Sequence, residues 1–193
     1  MPPDVLIIAD DLTGALDSSV AFAGPGRSVL VARNPDAIPA LLHQSPAVLA
    51  VNTASRECDA EEAAQRVSAA LAQLPLADIP IIMKKVDSRL KGNIAAEMGA
   101  LQTTLGARRI IAAPAIPTMG RSVTGGILGG DGIAAQIDVA SRIGVSAAIP
   151  DTESDRDMDN LVRSAGSGAL WVGARGLAFA LARAAGHPEP QPF

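Results

Sequence analysis

Six short, almost wholly apolar runs recur along the chain: DVLIIAD, RSVLVA, AVLAVN, IPIIMK, ARRIIAAP and GALWVG, with helix-like segments between most of them. A strand that is apolar at every position, not at alternate ones, has to be covered on both faces. Strands that alternate with helices supply that cover. The pattern therefore predicts an α/β fold, a doubly wound, Rossmann-like and mostly parallel sheet with helices on both faces. The intervening segments agree. Thr13 to Ala23 has helical composition, and a short helix is expected at Ile38 to His43, with Pro35 suited to an early helical position. Asp59, three residues before Glu62, marks the start of a helix that places Ala63, Val67, Ala70, Leu71 and Leu74 on one face. Further helices are expected from about Asn93 to Leu105, after the acidic start DTESDRDMDNLV, and over ARGLAFALARAAG. The Gly-rich stretch PAIPTMGRSVTGGILGGDG carries neither helical nor strand periodicity. Residues 1–186 are read as one domain, and the Pro-rich HPEPQPF at 187–193 as a tail or linker.

Composition narrows the function classes. The chain has three Phe, one Trp and no Tyr, and a net charge of -4, which argues against aromatic platforms or basic faces for nucleic acid. No apolar run approaches the ~18 residues of a membrane span, and the opening MPPDVLIIADD lacks the basic region of a signal peptide. A single cysteine leaves no internal disulfide. Cytoplasmic localisation is the expectation, with no membrane and no nucleic-acid partner.

Ligands of open parallel sheets bind beyond the carboxyl ends of the strands. Four polar groups fall there: ADD (Asp10, Asp11), NTASR (Asn52 to Arg56), KKVDSRLKGN (Lys84 to Asn93) and PAIPTMGR (to Arg121). The third is the most telling. The chain has sixteen basic residues, yet its only three Lys, Lys84, Lys85 and Lys91, all lie within it. Compact ammonium groups, Arg89 and Asp87 gathered at the end of an apolar run suit an anion site, and Asp87 among those cations would accept hydrogen bonds from ligand hydroxyls. Arg56 and Arg121 would add planar forks for a carboxylate. A polyhydroxylated acid fits this set. For ADD, Asp11 caps the helix and Asp10 is solvated, or one caps while the other enters the crevice; the residues do not decide between these. No G-x-x-x-x-G-K-[ST] and no G-x-G-x-x-G is present, and two His with one Cys support neither a metal centre nor a nucleophilic triad. The acidic run Asp151 to Asp159 reads as a solvated helix start, with a cation site as the lesser option.

The blocks IADDLTGALDSSVAFA, NTASR, KKVDSRLKGNIAAEM, APAIPTMGR, IPDTESDRDMDNLV and VGARGLAFALA, in this order and spacing, resemble the N-terminal domain of the four-carbon acid sugar kinase family. That family phosphorylates tetronic acids such as erythronate, threonate and 2-oxotetronates with ATP. It uses an N-terminal domain for the sugar acid and a C-terminal domain of similar size for the nucleotide. The resemblance implies substrate contacts at Asp10, Asp11, Ser55, Arg56, Lys85, Asp87, Ser88, Arg89, Asn93 and Arg121, with Asp11 or Asp87 orienting or deprotonating the attacking hydroxyl. It places ATP and Mg2+ only in the complete two-domain enzyme, with no cofactor or metal for this domain alone. The implied partners are a small-molecule sugar acid and a nucleotide-binding domain in cis or in trans; homo-oligomer formation stays open. This domain by itself is expected to bind without turnover, and a stand-alone binding or regulatory module is the alternative. Arg89 and Lys91 depart from the commoner family form Asp-Ser-Thr-Leu-Arg-Gly-Asn, standing where it has Thr and Arg, and the region after Gly126 looks shorter than usual.

Overall fold

The computed structural model describes residues 1–187. Strand β1 (Val5–Ala9) leads into helix α1 (Leu12–Ser19), which continues as a 3-10 turn at Val20–Phe22. There follow β2 (Val29–Ala32), α2 (Ile38–Leu42), β3 (Val48–Asn52), α3 (Ala60–Leu71), β4 (Ile81–Lys85), α4 (Ile94–Leu105) and β5 (Ile110–Ala113). The chain then forms β6 (Arg121–Thr124), β7 (Ile127–Gly130), β8 (Ile137–Asp138), α5 (Val139–Ile143), α6 (Asp155–Ser164), β9 (Leu170–Gly173) and α7 (Arg175–Ala184).

The main sheet has the order β2-β3-β1-β4-β9-β5, and every pairing in it is parallel. Strands β1, β3, β5 and β9 are buried along their whole length, as their largely apolar sequence requires. From β1 the chain moves through α1 toward the β2 edge, and from β3 and β4 it moves through α3 and α4 toward the other edge. Right-handed crossovers put those helices on opposite faces. Accordingly α3 packs on α4, while α7 packs on both α1 and α6. The two winding directions diverge between β1 and β4, and that divergence makes the carboxyl ends of these two strands the switch point of the sheet.

Local signals act where expected. Asp59 accepts the Glu62 amide at the start of α3, and Ala63, Val67, Ala70, Leu71 and Leu74 are buried. The acidic run supplies a capping box at α6, where the Ser154 and Asp157 side chains each take the other's backbone N–H. The Gly-rich stretch is a correction. Instead of irregular chain it forms the antiparallel hairpin β6-β7, with Gly125 and Gly126 at φ 57° and 79° in a two-residue turn, and β8 just beyond it pairs with β7. His187, expected to open the tail, is buried against Phe22 and bonded to Arg27, so the packed body includes it; the rest of that expected tail lies outside the described residues.

Candidate functional site

The loops after β1 and β3 are locked together. The amides of Ser55 and Arg56 donate to the Asp10 carbonyl, and the Arg56 guanidinium grips the Asp10 carboxylate bidentately, Nε to Oδ2 and Nη2 to Oδ1, both at 2.8 Å. Asp10 is 1% exposed. Burial would push its carboxyl up, but the Arg56 bonds, with Lys84 and Lys85 close by, hold it below the usual carboxylate range. Asp11 caps α1, its Oδ1 accepting the Gly14 amide at 2.7 Å while Oδ2 meets Arg56 Nη1 at 2.5 Å. Asp10 is therefore neither solvated nor in the crevice; it is the anchor for Arg56, and Asp11 both caps the helix and faces the cleft.

The two Lys at the end of β4 part company. Lys84 does not join the anion cluster: it is wholly buried and paired with Glu97 of α4, Nζ to Oε2 at 2.9 Å. Lys85 faces the cleft with 5% of its surface exposed. Among the described residues no carboxylate oxygen lies within 4.0 Å of its ammonium. Burial pushes its pKa down, and the Asp10 and Asp11 charges pull the other way. An ammonium in that position gains by acquiring an anion.

Asp11, Thr13, Gly14, Asp17, Arg56, Lys85, Asp87, Ser88, Ile116, Ala174 and Arg175 line a cleft of about 180 Å³ at the switch point. Ligand pockets usually run ~300–1,000 Å³, so the space suits a small polar molecule. A larger residue at Gly14 would have to displace its neighbours: a Cβ would lie 2.5 Å from Asp11 Oδ1 and 2.8 Å from Lys85 Nζ. Asp87 uses Oδ2 to accept the amides of Arg89 and Lys91, which folds the 87–91 loop over buried Leu90, itself at φ 51°. Arg121 donates to Ser88 Oγ at 2.6 Å and to the Asp131 carbonyl, and so holds the Ser88 hydroxyl from outside the cleft wall.

Of the expected site residues, the fold brings Asp11, Arg56, Lys85, Asp87 and Ser88 together around one cleft, with Arg121 behind them. Ser55 is fully buried, donating to Glu97 and bonded to Thr53. The Asn93 amide is spent on the carbonyls of Ser55 and Cys58. These two shape the loop and do not reach the cleft. Arg89 lines a separate groove. Sequence reasoning missed Thr13, Asp17 and Arg175. Arg175 follows β9, and because β9 lies between β4 and β5, its carboxyl end belongs to the same rim. Arg175 Nη1 is 3.3 Å from Asp17 Oδ1, and the guanidinium lies over Phe179. Among the described residues no group of three His, Cys, Asp or Glu side chains could hold a metal, and no helix is long and apolar enough to cross a membrane.

Residues 5–132 match the family described as the sugar-binding N-terminal domain. The chain is 39% identical over 131 residues to the D-threonate kinase of Bordetella bronchiseptica, covering 65% of this chain and 32% of that protein. It is 31% identical over 240 aligned positions to the D-threonate kinase of Cupriavidus necator, covering 97% and 57%. With the D-erythronate kinase of Heliobacterium modesticaldum the identity is 35% over 127 residues, covering 65% and 29%. The chain thus spans little more than half the length of even the most fully matched of these three. The 240 positions exceed this chain's 193 residues, so the Cupriavidus protein carries extra residues inside the aligned span. A crystal structure of a domain of unknown function from Bordetella bronchiseptica, a domain-swapped dimer with bound citrate, superposes with a TM-score of 0.83 at 28% identity, covering 95% of this chain and 57% of that one. A Haemophilus influenzae protein shares the fold, with a TM-score of 0.74 at 21% identity over 95% of this chain and 57% of its own.

Proposed function

Because the chain belongs to the four-carbon acid sugar kinase family as a sugar-binding N-terminal domain, we propose that its switch-point cleft binds a four-carbon sugar acid of the threonate or erythronate type. In this reading it forms the substrate half of an ATP-dependent kinase. One observation carries the proposal: a buried ammonium without a carboxylate partner, Lys85, opens onto a small cleft that also presents Asp11, Asp87 and the Ser88 hydroxyl. Lys85 takes the ligand carboxylate, with Arg175 as a second cation. Asp87, Asp11 and Ser88 take the hydroxyls, as a polyhydroxylated acid requires.

The hydrogen bonding also ranks the two candidate bases. Asp11 has both oxygens engaged, by the Gly14 amide and by Arg56, whereas the bonds of Asp87 to Arg89 and Lys91 all use Oδ2. Asp87 Oδ1 is therefore the better group to orient the attacking hydroxyl and receive its proton. In this reading ATP and Mg2+ are engaged only in the complete two-domain enzyme, and among the described residues no group of three His, Cys, Asp or Glu side chains could hold the metal.

Calorimetric titration of the chain with D-threonate and D-erythronate tests the proposal. Binding is expected, and Lys85→Met and Asp87→Ala should each weaken it about 10- to 150-fold, the worth of one charged hydrogen bond. Unchanged affinity in both variants would remove the cleft from consideration. Binding that is followed by no phosphorylation when a complementary half and ATP are supplied would favour a non-catalytic binding module.

A further inference from the structure

Beyond the 87–91 loop lies a second groove, of about 500 Å³, lined by Arg89, Lys91, the stretch from Gly132 to Ile137, Asp138, Ser141 and Arg142. Its charge is lopsided. Arg89, Lys91 and Arg142 are all exposed, and among the described residues none of the three forms an ion pair. The single carboxylate in the lining, Asp138, accepts the Ser141 amide as the cap of α5. Three cations facing one carboxylate leave the groove strongly positive. The protein as a whole is negative at -4, so the groove's charge is opposite in sign to the protein's.

The groove adjoins the sugar-acid cleft through a single loop: Asp87 and Ser88 line the cleft, Arg89 and Lys91 the groove. The loop cannot rock freely between them, since Leu90 is buried and Asp87 binds the amides of both Arg89 and Lys91. Two anion-binding spaces are thus held in fixed relation. Ser141 and Arg142 also wall the hollow over the first turn of α4, which no side chain caps, so the helix field there has the same sign as the cations.

We propose that this groove holds the polyphosphate of a phosphoryl donor, with Arg89, Lys91 and Arg142 as its cations. The inference rests on the sugar-acid reading of the cleft. Transfer requires the donor's terminal phosphorus to come within reach of the acceptor hydroxyl, ~3–3.5 Å at the reacting atoms. The remaining phosphates must then lie beside the cleft, and the groove is the positive surface available next to it. Of the two departures from the commoner family form, Arg89 in place of Thr adds a cation to the groove, and Lys91 in place of Arg keeps one there.

The test uses the 193-residue chain and inorganic tripolyphosphate, titrated at low and at raised salt, alone and with the cleft saturated by D-threonate or D-erythronate. Tripolyphosphate should bind in both settings and weaken as salt rises. Arg142→Ala and Lys91→Ala should each cost about 2- to 5-fold in its affinity, and the double variant more, while Arg142→Ala leaves sugar-acid affinity unchanged. All these side chains are exposed, so the variants keep the core. Absent binding, equal binding by the double variant, or competition between tripolyphosphate and the sugar acid for one site would each overturn the inference. So would a preference of the groove for a dicarboxylate such as tartrate. Loss of sugar-acid binding in the unaltered chain would instead overturn the reading on which the inference rests.

Discussion

Replacing Lys84 by Met should be among the most damaging single changes in the domain, although Lys84 does not line the cleft. Its Nζ lies 2.9 Å from Glu97 Oε2, with both side chains at 0% exposure. At an effective dielectric constant of ~20 that separation is worth about 6 kcal/mol of attraction. Desolvating each ion costs several kcal/mol, so the intact pair comes out near neutral on balance. Lys84→Met removes the attraction but leaves Glu97 buried, with only the Ser55 hydroxyl to stabilise it. The expected loss is about 3–5 kcal/mol, a large part of the ~5–15 kcal/mol that a domain has. The double variant Lys84→Met with Glu97→Leu removes both charges and should recover most of that loss, falling short by about 1 kcal/mol for the lost Ser55 bond. Urea unfolding followed by circular dichroism, with the slope checked for constancy, reads both numbers. A single variant costing under about 1 kcal/mol, or a double variant as unstable as the sum of the two singles, would refute the claim that these charges are buried together.

Two further outcomes follow from other contacts. Gly14→Ala puts a methyl group against Asp11 Oδ1 and Lys85 Nζ; sugar-acid affinity should drop at least tenfold while unfolding by urea shifts by only about 1–3 kcal/mol, and unaltered binding would mean that Lys85 does not point where the cleft needs it. His187 is held below its ordinary pKa by burial and by the charge of Arg27, which donates to its Nδ1. A His whose pKa is lowered on folding stabilises the fold above the unfolded value of ~6.5, and that contribution fades as pH falls through the lower folded value. His187→Phe should therefore flatten the acid side of the stability profile below pH ~6.5, as read from thermal midpoints, and an identical slope in both proteins would count against the buried neutral imidazole.

Much of the architecture was legible because the central strands are apolar up to their polar carboxyl ends, a pattern with few other uses, and because Asp59 and Ser154 cap α3 and α6 in the ordinary way. The antiparallel β6-β7-β8 sheet was not. Its strands are two to four residues long and half of β7 is glycine, so no alternation survives to be read; only the Gly125-Gly126 pair between Arg121–Thr124 and Ile127–Gly130 signalled a hairpin. At the site, the rim rule found Asp11, Lys85, Asp87 and Ser88, since position at a strand end is visible in sequence. It missed Arg175 because the rule was not extended to the last strand, whose place beside β4 follows from pairing. Ser55 and Asn93 were put in the cleft because a family motif marks which residues matter and not which way they face. Glu97 had a signal of its own: a lone carboxylate on the apolar face formed by Ile94, Met98 and Leu101 needs a buried cation.

The adjacent lysines of β4 show why such a pair stands at the end of a buried strand. Successive side chains of a strand point to opposite faces of its sheet. In register beside Ile8 and Ala9 of β1, Lys84 and Lys85 must therefore diverge, one to the α4 face and one toward α1. The α4 face supplies Glu97, and that ammonium is neutralised within the fold. On the other face α1 has Gly14 where its side chain would come closest, and Asp11 is already held by the helix it caps and by Arg56. Lys85 is thus admitted to a low-dielectric position with space beside it and no direct ion pair. A fold tolerates an incompletely compensated charge at such a place when a ligand completes it, because filling the gap through the chain itself, as Glu97 does for Lys84, would close the cleft.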